Sequence, residues 1–404
     1  MSIIYHKVRL FVLTPIYSST TQGSGTTPVV HYFAKEWVKL GHDVHVYHLC
    51  ARFPGFFYYV SRLFQHKLNT IFGSLVPTEI PTDAEYEIDG VHVHRIVIKK
   101  YIPHSLYSKH KISGIVDYLE KGFKQFGIPD VLIGHWHNPS LDIMMEVKNR
   151  IKIRTCLVLH ENSFNLEKYY GDRTCDNLKL IDIIGFRNKT AKSNFIKRYG
   201  CPKSSFIAYS GVSPAFLEAG LNFRPDFEGG VIRFVFVGSL IARKHPTAII
   251  KALDLVYPRN PFYITFVGDG AEKNNISSSQ SNNSQGVISF TGRIIREEII
   301  EHLKQSQIFV MISEGEIFGL VYLEAMALGL IPIGSRGEGI DGIIIDGYNG
   351  FLCNAGDSDE LASIIGRINK MTKEDLESIS RNAQNTAQNY SDINAAKHYI
   401  DSIV

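Results

Sequence analysis

Residues 313–332 read SEGEIFGLVYLEAMALGLIP, and the rest of the chain falls into place around them. A short apolar run, Ile308–Ile312, precedes the segment, and another, Leu330–Ile333, closes it. Between them Leu320, Val321, Leu323, Met326 and Leu328 suit a helix over Gly319–Leu328. Strand, helix and strand in this order predict a parallel βαβ step with a right-handed crossover. Two acids mark the step. Glu316 falls in the loop after the first strand, and Glu324 interrupts the apolar helix. A part-buried carboxylate needs hydrogen-bond donors, and ribose hydroxyls would supply two. Backbone N–H groups of Phe318, Gly319 and Leu320 at the helix start would face an anion such as a diphosphate.

The same grammar extends in both directions. Val231–Val237, Phe262–Val267 and Val287–Phe290 read as strands, with helices over Pro246–Val256 and Arg296–Gln305. Residues 274–286, NNISSSQSNNSQG, read as a polar, mobile loop. Upstream, Val8–Leu13 is a strand and Gly23-Ser24-Gly25 a loop. A helix follows from about Pro28 to Gly41, then a strand over Asp43–Leu49. Further strands are expected at Val91–Ile98, Val131–Gly134, Thr155–Leu159 and Ser205–Ala208. The expected fold class is therefore α/β, with two Rossmann-like parallel-sheet domains facing a central cleft. Residues 1–213 form the first domain, an irregular linker covers 214–230, and the second domain spans 231–388. Residues 389–404 form a helix expected to pack back on the first domain.

Composition narrows the function classes. At 404 residues, 44% hydrophobic and 21% charged, the chain suits a globular protein with two cores. Its first residues, MSIIYHKVRLFVL, are broken by His6, Lys7 and Arg9, so neither a signal peptide nor a membrane span is expected there. A cytoplasmic location follows, with the inner face of a membrane as its variant. Five scattered cysteines without C-x-x-C spacing predict buried free thiols rather than a zinc site or disulfides. Residues 1–200 carry +9 and the remainder −6, which suits an anionic partner for the first half. No nucleic-acid signature is present. Phe53–Phe72, FPGFFYYVSRLFQHKLNTIF, mixes aromatics with Arg62, His66 and Lys67. It reads either as a membrane-interface segment or as an ordinary packed amphipathic helix.

Segment 316–324 also resembles the E-x7-E motif of the retaining glycosyltransferases of family four, which have the GT-B architecture. FVGSLIARKHPTAIIKAL, FVGDGAEK, SFTGRI, YSGVSPAFL and NGFL resemble further segments of that family, as do the N-terminal glycine loop, Gly-His-x-Val and DVLIGHWH. The resemblance implies roles residue by residue. Glu316 would contact hydroxyls of the donor sugar, and Glu324 the ribose. Lys244 would stabilise the diphosphate with Arg243 as its companion, and Arg293 would lie on the base side. Gly25 would let backbone approach phosphate. His160, which ends the strand TCLVLH, would sit beside the transferred sugar. Ser239 stands where the family commonly has arginine, and Arg243 is the candidate to compensate.

From the residues alone, His135 is a candidate for lining an acceptor pocket, alternatively a structural histidine. Gly268-Asp269-Gly270 does not complete a dinucleotide fingerprint, and Asp357-Ser358-Asp359 reads as a helix cap rather than a metal motif. No tightly bound cofactor and no metal are expected. The expected activity is transfer of a sugar from a nucleoside diphosphate sugar to a glycan or lipid-linked acceptor, with retention, as in cell-surface polysaccharide synthesis. The alternatives are a sugar-nucleotide epimerase or phosphorylase, and a non-catalytic, membrane-associated subunit of the same fold.

Overall fold

The computed structural model describes residues 6–17, 28–72, 76–102, 105–228, 231–281 and 284–404, with 66, 67 and 69–72 as backbone only. The chain divides into two compact units. One comprises Met1–Arg187, Ala191–Tyr209 and Ala395–Val404, and the other Asn188–Thr190 with Ser210–Asn394.

The first unit is built on an eight-stranded sheet. Its strands are β1 (Arg9–Thr14), β2 (Asp43–Arg52), β3 (Ala84–Ile88), β4 (Val91–Lys99), β5 (Val131–His135), β6 (Arg154–Leu159), β7 (Ile183–Phe186) and β8 (Ser205–Ile207). The order is β3-β4-β2-β1-β5-β6-β7-β8. Every pairing is parallel except β3 with β4. Both faces are covered, which is why β1 is apolar without alternation. Phe11 and Leu13 pack on one side with Tyr47, Leu132 and Leu157. Leu10 and Val12 pack on the other with Val44, Val46 and Ile133. The last helix, Asp392–Ile403, adds Ala396, Tyr399 and Ile400 to that second layer, where the Trp37 indole N–H donates to the Ala396 carbonyl at 3.1 Å.

The second unit carries a six-stranded, wholly parallel sheet of β9 (Arg233–Val237), β10 (Tyr263–Val267), β11 (Val287–Gly292), β12 (Ile308–Val310), β13 (Ile331–Ser335) and β14 (Phe351–Cys353). Its order is β11-β10-β9-β12-β13-β14. Proline at the first turn starts the helix Pro246–Val256. Gly319, at φ 71°, starts the helix Leu320–Ala327 in a left-handed conformation that a side chain would resist.

Several expectations are corrected. The segment 214–230 opens with a helix, Pro214–Leu221, that buries Phe216 within the second unit. A helix over Lys273–Ser278 occupies much of the expected loop, seated by the fully buried Ile276. Cys175 and Cys201 are exposed, Cys50 is half-buried, and only Cys156 and Cys353 are buried thiols. Strands β3, β7 and β14 were not anticipated: β7 and β14 are short runs whose identity comes from their neighbours, and β3 is an antiparallel edge. Among the described residues no helix is long and apolar enough to cross a membrane.

Candidate functional site

In the second unit the glycine turns after β9 and β10 interlock. Gly238 N–H donates to the Val267 carbonyl at 2.9 Å, and Leu240 N–H to the Asp269 carbonyl at 3.0 Å. A Cβ on Gly268, at φ 143°, would lie 2.0 Å from the Gly238 carbonyl oxygen. Bare backbone at Gly268 is what allows the contact, so the Gly-Asp-Gly segment is a structural partner of the other turn. The chain then makes a tight turn over Ala242–Lys244. Left-handed His245 (φ 46°) leads it into the helix beginning at Pro246.

That turn brings Arg243 and Lys244 to the loop after β12. Glu314 N–H donates to the Arg243 carbonyl at 2.7 Å, and the Arg243 guanidinium returns a bond to the Glu314 carbonyl at 3.2 Å. Lys244 Nζ lies 3.4 Å and Arg243 Nη1 3.6 Å from the same Glu316 carboxylate oxygen. Lys244 and Glu316 are mostly buried, whereas Arg243 is about half exposed. Lys244 and Arg243 stand among three carboxylates here, those of Glu314, Glu316 and Glu338, and are the groups that can meet an anionic ligand. Glu338 clasps this loop from beneath. Its carboxylate accepts from Gly315 N–H at 3.0 Å and Glu316 N–H at 2.8 Å. Burial pushes its carboxyl pKa up despite these bonds, and the charges of Glu316 and Glu314 push the same way.

Glu324 is buried in the helix Leu320–Ala327, whose N-cap residue, Gly319, has no side chain to cap it. Arg296 meets it through two guanidinium nitrogens. Nε donates to Oε1 at 2.7 Å, and Nη2 donates to the same oxygen. The guanidinium also lies over the Phe216 ring, 5.6 Å from its centroid. A donor from the protein itself therefore stabilises the acid for which ribose hydroxyls were expected. Arg293, expected on the base side, is exposed one residue beyond β11 and makes no ion pair among the described residues. Tyr322 is buried under the loop, its hydroxyl donating to the Met311 carbonyl.

In the first unit, adjacent strands β5 and β6 deliver His135 and His160 to one place, with His135 Nδ1 2.9 Å from His160 Nε2. Trp136, at φ 61°, stacks flat on the His160 ring with centroids 3.9 Å apart. His135 has no exposed surface and meets the Tyr399 hydroxyl at 3.5 Å. It backs His160 rather than lining a pocket. Burial drives His135 down to about 3 and His160 well below the usual histidine range, and buried Arg187 repels a proton from both. Both rings are therefore neutral at ordinary pH. His137 bonds to Glu161 at 3.1 Å. Gly25 and Ser24 lie outside the described residues. Asp357 is a helix cap, accepting from the N–H groups of Asp359 and Glu360.

Glu338 and Arg296 are the two residues that sequence reasoning missed. Arg296 follows a strand by four residues, and Glu338 sits in the loop after β13. The only signal was that both loops open at the same end of a parallel sheet as Glu316.

An α/β chain of two parallel-dominated sheets, with this constellation at one sheet's carboxyl ends, has the architecture of GT-B glycosyltransferases. Residues 222–386 match the family of glycosyl transferases group 1, so the protein is an enzyme of the glycosyltransferase class. An uncharacterized glycosyltransferase of Methanocaldococcus jannaschii is 25% identical over 65% of this chain and 73% of its own. Sucrose-phosphate synthase from Thermosynechococcus elongatus superposes with a TM-score of 0.67 at 15% identity, over 97% of this chain and 98% of that one. An Anabaena protein in complex with UDP does so at 0.61 and 16%, over 97% and 98%.

Proposed function

We propose that this enzyme transfers a sugar from a nucleoside diphosphate sugar to a glycan or lipid-linked acceptor, with retention at the anomeric carbon, in the manner of family-four glycosyltransferases building surface polysaccharides. The observation that carries the reading is the convergence of Lys244 and Arg243 on Glu316 beside the interlocked glycine turns. Departure of a nucleoside diphosphate concentrates negative charge on the phosphates. Lys244, Arg243 and the N-termini of the two helices can stabilise that charge in place. Glu316 offers a carboxylate to sugar hydroxyls, placed by its contacts with the two cations. Glu324 is the ribose acceptor in this reading, held in place by Arg296.

For the first unit we propose that it serves the acceptor side. His160 is neutral and oriented by His135 and Trp136, so it can exchange a hydrogen bond with a sugar hydroxyl without adding charge. The relative whose structure holds UDP supports a nucleotide donor. The test is a thermal-shift screen of UDP-, GDP- and ADP-sugars, followed by NMR of products formed with candidate acceptors. A new glycosidic bond of the donor's anomeric configuration, with nucleoside diphosphate released, is the expected outcome. An isomerised donor would refute transfer. Glu324→Ala is expected to weaken nucleotide binding about tenfold or more, roughly the loss of one charge-assisted hydrogen bond.

A further inference from the structure

Among the described side chains of Phe53–Phe72, one face is left exposed. In the helix Gly55–Phe72, Tyr58 and Ser61 turn inward and are buried. Phe56, Tyr59, Val60 and Leu63 recur at helical spacing on the opposite side, up to a kink at Phe64, and these five side chains are 72%, 67%, 39%, 59% and 53% exposed. A soluble surface rarely leaves so many large apolar side chains together. The stripe also has a neighbour. Arg52, three residues before the helix, pairs in register with Lys99 at the end of β4, and Lys100 N–H donates to the Arg52 carbonyl at 2.8 Å. The chain leaves β4 there through Tyr101 and Ile102, which are as exposed as the helix stripe.

Charge selects the occupant. No Asp or Glu occurs between Asp43 and Glu79, or between Asp89 and Asp117, although Arg52, Arg62, Lys99, Lys100 and Lys111 all lie in those stretches. Arg52, Arg62 and Lys99 are exposed, and Lys111 Nζ lies over the Tyr101 ring. A second copy of this chain would bring like charges together across a two-fold contact. An anionic bilayer satisfies both features, since its headgroups attract the cations while its acyl boundary takes up aromatic and aliphatic side chains.

We propose that the helix Gly55–Phe72 and the Lys99–Ile102 segment together form a docking face for anionic lipid bilayers. The inference goes beyond the transfer reaction and does not depend on which sugar is moved.

Co-sedimentation of the whole protein with vesicles of phosphatidylcholine alone, or mixed with phosphatidylglycerol, tests it. Binding to the anionic vesicles is expected, with little to phosphatidylcholine, and it should fall severalfold between about 0.05 and 0.5 M salt as screening shortens. The wild-type comparison stands without any variant. Phe56→Ser/Tyr59→Ser/Leu63→Ser should reduce binding about tenfold or more with an unchanged unfolding transition. Arg52→Gln/Lys99→Gln should abolish the preference for anionic lipid. Equal binding to both vesicle types, no binding to either, or full binding by the triple variant overturns the proposal. So does a wild type that dimerises through this face, shown by a monomeric triple variant. Nucleotide-sugar binding measured on the same preparations reports separately on the transfer reading.

Discussion

Arg296→Ala removes the protein's own donor to a carboxylate that is only 5% exposed at its side chain. Deleting one partner of a buried pair typically costs about 3–5 kcal/mol, because the remaining charge is stranded. Protonation offers an escape that caps the cost. Neutralising an ordinary glutamate, with a pKa of about 4.3, requires about 3.7 kcal/mol at pH 7 but only about 1 kcal/mol at pH 5. The lost guanidinium contact with Phe216 adds about 0.5 kcal/mol at either pH. The expected destabilisation of the second unit is therefore about 3–4 kcal/mol at pH 7, or roughly 7–14 °C in unfolding temperature. It should shrink to about 1–2 kcal/mol at pH 5. The sign follows from proton binding: in the variant the folded state holds a proton that the unfolded state releases, so its stability falls as pH rises above about 4.3. Arg296→Ala/Glu324→Gln should lose most of that pH dependence. Both tryptophans, Trp37 and Trp136, lie in the first unit, so calorimetry or far-ultraviolet circular dichroism is the assay for the second. A loss under about 1 kcal/mol at pH 7, or an equal loss at both pH values, would refute the reasoning.

Three further outcomes are expected. Gly268→Ala drives a Cβ into the Gly238 carbonyl and should cost on the order of 3 kcal/mol while weakening nucleotide binding; a variant with wild-type thermal stability would contradict the interlocked turns. Glu338→Ala leaves the N–H groups of Gly315 and Glu316 without their carboxylate, which should cost about 1–3 kcal/mol and lower kcat for transfer. Steady-state kinetics showing unchanged kcat would detach Glu338 from the placement of Glu316. The buried His135 and His45, depressed to about 3 and about 4, take up protons mainly on unfolding, so the first unit should lose stability as pH falls below about 6.5. Together they should account for roughly 3–4 kcal/mol between pH 7 and pH 5. Urea unfolding followed by tryptophan fluorescence measures it, and a flat profile would rule the mechanism out.

The sequence by itself determined the alternation of buried strands and helices, because continuous apolar runs and helical spacing are local properties of the chain. Val8–Leu13, Asp43–Leu49 and Pro246–Val256 were legible for this reason, as was the E-x7-E step that puts one acid in a loop and the next inside a helix. Residues whose meaning depends on a partner far along the chain were not legible. Arg296 meets Glu324 and Glu338 meets the Gly315–Glu316 backbone only because the parallel sheet aligns the ends of β11, β12 and β13. His135 changes from a pocket candidate to a support for His160 because β5 and β6 are neighbours in register. Charge pairing and burial belong to three-dimensional neighbours. The tertiary structure alone decided which acid is clamped, which histidine is neutral and which face of Gly55–Phe72 is left uncovered.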